Sequence, residues 1–166
     1  LVSAAHKSSG KTTITLALAA ALAARGHAVQ PFKKGPDYID PMWLTLAAGR
    51  PCINLDPQLM GWDEIAQVFG QRMRGADVGL VEGNKGLHDG VSVDGRDSSA
   101  GLARILGLPV VLVLDARGTI RGVAPLLLVL LVAIGAHVHA LGGGGQLGRC
   151  SVLVRRADIK GLVALR

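Results

Sequence analysis

The sequence predicts an α/β domain with a mostly parallel sheet flanked by helices. Three observations carry that expectation. Apolar runs of strand length, such as DVGLVEG (77–83) and LPVVLVLDA (108–116), alternate with longer Ala- and Leu-rich stretches of helical length. That alternation is the pattern of strands joined by crossover helices. The runs are continuously apolar, as expected of strands covered on both faces. Glycine is abundant, at 23 residues, which suits many tight βα turns.

Taken in order, LVSAA (1–5) reads as a short first strand and SSGKTT (8–13) as a turn. KTTITLALAAALAARG (11–26) has helical composition and stops at Gly26, a natural C-cap. HAVQPF (27–32) reads as the next strand. KKGPDYIDP (33–41) is too rich in Gly, Pro and Asp for regular structure and reads as a loop. Helices are expected at PMWLTLAAG (41–49), GWDEIAQVFGQRMRG (61–75), SSAGLARILG (98–107) and TIRGVAPLLLVLLVAIG (119–135). The segment 84–100 reads as a long polar loop. Beyond residue 135, AHVHAL has strand character, GGGGQLGRC is a low-complexity turn, and SVLVRRADIKGLVALR leaves room for one more strand.

The chain has 166 residues, enough for one domain with a proper core. Its net charge of +6 favours anionic partners such as phosphates or polycarboxylates, or serves solubility. The basic residues are scattered, without a run of five or an aromatic-studded patch, which argues against a nucleic-acid surface. The longest apolar run, 123–136, is broken by Pro125 and is shorter than a bilayer span, so no membrane segment is expected. Cys52 and Cys150 lack metal-ligand spacing and read as reduced thiols of a cytoplasmic protein. The start at Leu1, directly in a strand, reads as a fragment of a longer product.

The stretch AAHKSSGKTT (4–13) matches the phosphate-binding pattern G-x-x-x-x-G-K-[ST], except that Ala5 stands where the first glycine falls. Gly10, Lys11 and Thr12 complete it between a strand and a helix, the placement of a P-loop NTPase-like fold. Backbone N–H groups of such a loop wrap phosphates, and the helix N-terminus adds its positive end. Ser8, Ser9, Gly10, Lys11, Thr12 and Thr13 are therefore the candidate ATP contacts. Lys11 would reach the β- and γ-phosphates, and the Thr12 hydroxyl is a candidate Mg²⁺ ligand.

Chemistry in an open parallel sheet gathers at the C-terminal ends of strands. Asp37 and Asp40 follow the second strand, Glu82 closes DVGLVEG, and Asp89 lies in the loop beyond. A carboxylate closing a buried apolar strand is where such enzymes hold or orient Mg²⁺, which makes Glu82 the best placed. Asp40, before Pro41, also reads as a turn-former. Asp115 ends a strand too, but its Ala-Arg-Gly continuation suggests a turn.

VQPFKKGPDYIDPMW (29–43), GRPCINLD (49–56), VEGNKGLHDG (81–90) and LPVVLVLDARGTIRGVAPLLL, together with AAHKSSGKTT, resemble the cobyrinic and hydrogenobyrinic acid a,c-diamide synthases. The resemblance covers roughly residues 1–130. GPDYIDP separates that family from others of the dethiobiotin synthetase-like fold, including the chromosome-partitioning ATPases. The resemblance implies an ATP- and Mg²⁺-dependent amidoligase acting on a corrinoid polycarboxylate through an acyl phosphate. Ammonia would come from a glutaminase domain outside this chain, since neither cysteine sits in a nucleophile elbow. It places Lys11, Asp37, Asp40, Glu82 and Asp89 in catalysis, with Thr12, Asp37 and Glu82 as Mg²⁺ ligands. Lys34, Tyr38, Ile39 and Asp40 would bind substrate. Lys33 and Lys34 either offset substrate charge or serve solubility at a strand end. His88 stands where the family has tyrosine before the aspartate. Resemblance fades after about Leu131, so the domain organisation expected is a synthetase domain over 1–135 and a divergent tail over 136–166. A homodimer stays open, as do a partitioning-type switch ATPase and a non-catalytic nucleotide-binding relic.

Overall fold

A computed structural model describes residues 1–116, 121–122, 124–126 and 150–155. Six strands form one parallel sheet: β1 (Val2–Ala4), β2 (Val29–Lys34), β3 (Ile53–Leu55), β4 (Val78–Glu82), β5 (Val110–Asp115) and β6 (Cys150–Arg155). Their order is β3-β2-β4-β1-β5-β6, every neighbouring pair parallel. The helices are α1 (Lys11–Ala24), α2 (Ile39–Ala48), α3 (Trp62–Arg72) and α4 (Ser99–Ile105). The α/β architecture expected from the sequence is the one observed. The helix expected over 119–135 falls largely outside the described residues, as do AHVHAL and the glycine run. β6 lies in the segment that left room for one more strand.

Strand pleating sorts the core onto two faces, because successive side chains alternate. Val2, Ala4, Val29, Leu80 and Val113 pack with Ala19 of α1 and Ala48 of α2. Leu1, Phe32, Leu55 and Val81 pack with Ile65 of α3 and with Leu102 and Ala103 of α4. Phe32 and Phe69 add a tilted ring pair at 4.8 Å between centroids.

Three features differ from the sequence expectation. β2 runs on through Lys33 and Lys34, which were expected in a loop; both are buried, and Lys33 and Lys34 pair in register with Asn54 and Leu55 of β3. β3 itself was not anticipated, since three residues are too few to display a period. α2 starts at Ile39 rather than Pro41. The Asp37 carboxylate accepts from the backbone N–H groups of Ile39 (2.9 Å) and Asp40 (3.1 Å), so the first turn is capped before the proline. Pro41 then occupies the first turn, where a missing N–H costs nothing.

Candidate functional site

The segment between β1 and α1 forms the turn that the motif predicts. Gly10 is the N-cap of α1 with φ 89°, a left-handed conformation that favours glycine. Ala5 is not among the described residues with positive φ, so a Cβ at this position meets no backbone penalty. Ser8 takes φ 63°, and both it and Thr13 are exposed. Ser9 is buried, and its hydroxyl donates to the His6 carbonyl at 2.9 Å, which fastens the turn from within. Lys11 is also buried, and its Nζ donates to the same carbonyl at 3.4 Å.

Above this turn lies a cluster of opposite charges. In the β2–β4 register Lys33 stands beside Glu82, on the face that carries α1 and α2. Lys33 Nζ lies 3.1 Å from Glu82 Oε1, 2.6 Å from Asp40 Oδ2 and 3.6 Å from Asp37 Oδ2. The Thr12 hydroxyl donates to Glu82 Oε1 at 2.6 Å and lies 3.4 Å from Asp40 Oδ2. Three elements and the P-loop helix thus meet at one point. Glu82 is fully buried, and its second oxygen, Oε2, has no partner among the described residues.

Burial lifts the Glu82 carboxyl above the ordinary carboxylate range, while Lys33 and the hydrogen bonds from Thr12 and Lys33 pull it back. Burial also works against the Lys33 ammonium, but Glu82 and Asp40 outweigh it and hold Lys33 above the ordinary lysine value. Lys11 is lowered, first by burial and then by Lys33. The Cys52 thiol is pushed up to about 12, chiefly by burial, and so carries no thiolate character near neutrality.

Of the expected site residues, Lys11, Thr12, Asp40 and Glu82 are brought together, with Asp37 at the edge. One Asp37 oxygen is committed to capping α2, and its carbonyl accepts from Asn54 Nδ2 at 2.8 Å. Tyr38 and Ile39 stand exposed at the start of α2. Asp89 belongs to the loop after β4, where its Oδ2 accepts from Gly86 N at 2.7 Å. Lys34 lies on the opposite face of the sheet from Lys33, beside Asp56, Gln58 and Asp97. The central place of Lys33 was not foreseen. Its signal was the strand parity: extending HAVQPF by one residue puts Lys33 on the face of Val29. Asp97 was not foreseen either. It accepts from Val91 N (2.8 Å), Ser92 N (3.1 Å) and Gln58 Nε2 (2.7 Å), which ties the 84–98 loop to the chain after β3.

The residues present suit a Mg²⁺ ion held jointly with nucleotide phosphates. Mg²⁺ keeps several waters and needs one or two carboxylates besides phosphate oxygens. The Thr12 hydroxyl, the unpartnered Glu82 oxygen and Asp40 offer that donor set. Among the described residues no group of three acidic, His or Cys side chains forms an all-protein metal cage.

A parallel sheet, a strand–SSGKT–helix turn and acids at strand ends define a nucleotide-binding domain. The chain belongs to the CobQ/CobB/MinD/ParA nucleotide binding domain family, whose pattern matches residues 2–164. Among curated proteins the chain is similar to the cobyrinate a,c-diamide synthase of Magnetococcus marinus, 54% identical over 142 residues, 86% of this chain and 29% of the relative. It is 47% identical over 131 residues to the hydrogenobyrinate a,c-diamide synthase of Mycobacterium tuberculosis, 76% of this chain and 29% of that protein. The cobyrinate a,c-diamide synthase of Dehalococcoides mccartyi is 43% identical over 129 residues, 77% of this chain and 28% of the relative. The chain therefore matches less than a third of the length of these relatives. Among the described residues no helix is long and apolar enough to cross a membrane.

Proposed function

We propose that this chain binds and activates the substrate in an ATP-dependent synthase that converts the a and c carboxylates of a corrinoid acid to amides. The observation that carries the reading is the meeting of Lys11, Thr12, Lys33, Asp40 and Glu82 at the P-loop. The names of the relatives give the substrate class. The bound Mg²⁺ would neutralise phosphate charge, with Thr12, Glu82 and Asp40 to hold it. Lys11 would bind the β- and γ-phosphates. Lys33, kept charged by two carboxylates, would lie against the anionic oxygens of the reacting centre. A substrate carboxylate oxygen would attack the γ-phosphorus and ADP would leave. Ammonia would then add at the acyl carbon, phosphate would depart, and the nitrogen would shed a proton to leave the amide.

The test supplies cobyrinic or hydrogenobyrinic acid, Mg-ATP and free ammonia, with products read by mass spectrometry. The expected result is a loss of about 1 Da per converted carboxylate, abolished in Lys11→Ala, because that lysine serves the transferred phosphate. ATP hydrolysis that ignores the corrinoid acid, with no amide formed, would overturn the reading.

A further inference from the structure

Lys33 and Lys34 are neighbours in sequence but face opposite sides of β2. Lys34 is only 8% exposed and lines a cleft of about 90 Å³ together with Asp56, Asn84 and Asp97. Among the described residues no hydrogen bond or ion pair reaches its ammonium. Asp56 is 4% exposed. One of its oxygens accepts from Gln58 N at 2.9 Å, while the other, Oδ2, is buried and has no partner among the described residues. A buried carboxylate oxygen without a partner is costly, and Lys34, whose charge is met only at longer range by Asp97 and Asp56, lines the same cleft; together they point to a ligand that reaches both.

The chemistry of the pair selects the ligand. A carboxylate would satisfy Lys34 but would face Asp56, Asp89 and Asp97. A cation would meet Lys34 and the exposed Lys85. A primary carboxamide is neutral, and its carbonyl accepts from an ammonium while its N–H donates to a carboxylate oxygen. The cleft's volume is several times the roughly 10–15 Å³ that one water needs on this measure, enough for such a group.

We propose that this cleft is a carboxamide subsite, which receives the amide formed in the first turnover while a second carboxylate occupies the Lys33 site. The proposal rests on the function proposed above. A diamide synthase must accept its own monoamide as a substrate, and Lys34 with Asp56 would be how it recognises that monoamide.

The experiment measures kcat/KM separately for the acid and for its isolated monoamide, in the wild type, Lys34→Met and Asp56→Asn, and measures both affinities by calorimetry. The expected result is a fall of about tenfold or more in the monoamide-to-acid ratio of both constants in each variant, one lost buried hydrogen bond being of that size. The fall in kcat/KM should appear in KM rather than kcat. Asp56→Asn keeps the shape of the side chain, and thermal melts confirm that each variant is folded. Unchanged ratios in both folded variants, or equal losses for acid and monoamide, would overturn the subsite while leaving the synthase reading intact. A wild type that forms no amide from the acid overturns both.

Discussion

At the scale of single residues, Glu82 and Lys33 show how burial and charge are set against each other. Without Lys33, Glu82 would be an unpaired charge in the core, and removing one partner of a buried pair is strongly destabilising. Lys33→Met should therefore lower stability by about 3 kcal/mol at neutral pH. The pH dependence has a definite sign. With its folded-state value raised above the unfolded 4.5, Glu82 contributes most favourably when protonated, and that contribution is lost as pH rises through the folded value. The stability gap between the variant and wild type should narrow as pH falls towards 4.5, measured by urea unfolding at a series of pH values. A gap that stays constant with pH would show that Glu82 is not the group left uncompensated. Ala5 teaches a different point: its negative φ explains why the motif survives without its first glycine.

At the scale of elements, the P-loop is braced by the loop that follows β4. Leu87 N donates to the Ala4 carbonyl at 2.7 Å, and Leu87 is buried. Gly86 passes so close that a Cβ there would lie 2.5 Å from the Ala5 carbonyl oxygen and 2.8 Å from Asp89 Oδ2. Gly86→Ala should cost about 1–3 kcal/mol of stability, as overpacking does. Because the clash falls on backbone of the P-loop, nucleotide affinity should drop as well; calorimetry with an ATP analogue alongside thermal melts would reveal stability lost without affinity if the two loops act independently. The elements that sequence made legible were those whose composition or apolar run stands out locally: α1 to α4, β1, β4, β5 and the first part of β2. Those it missed were set by contacts across the chain. β3 is three residues held by β2, and the end of β2 is strand because Lys33 and Lys34 pair with Asn54 and Leu55. The candidate site was legible as a set of residue types at strand ends. Its centre was not, because the role of Lys33 depends on its register with a strand far along the chain.

At the scale of the whole molecule, the site brings together the P-loop and α1, the end of β2, the start of α2 and the end of β4. A nucleotide bound there would tie them together and should stabilise the fold by mass action. At a hundred times its dissociation constant, Mg-ATP should add about 2.7 kcal/mol, or roughly 5–10 °C in melting temperature for a chain of this size. Lys11→Ala should lose most of that shift, as read by differential scanning fluorimetry. An undiminished shift in that variant would place the nucleotide elsewhere.

The pleat of β2 has one more consequence, for how mutations combine. Lys33 and Lys34 are bonded neighbours whose side chains enter different compartments, so their substitutions should act nearly independently. Lys33 and Glu82, 49 positions apart, share one set of contacts and should be strongly epistatic. In this protein genetic coupling follows strand parity, and distance along the chain is a poor guide to it.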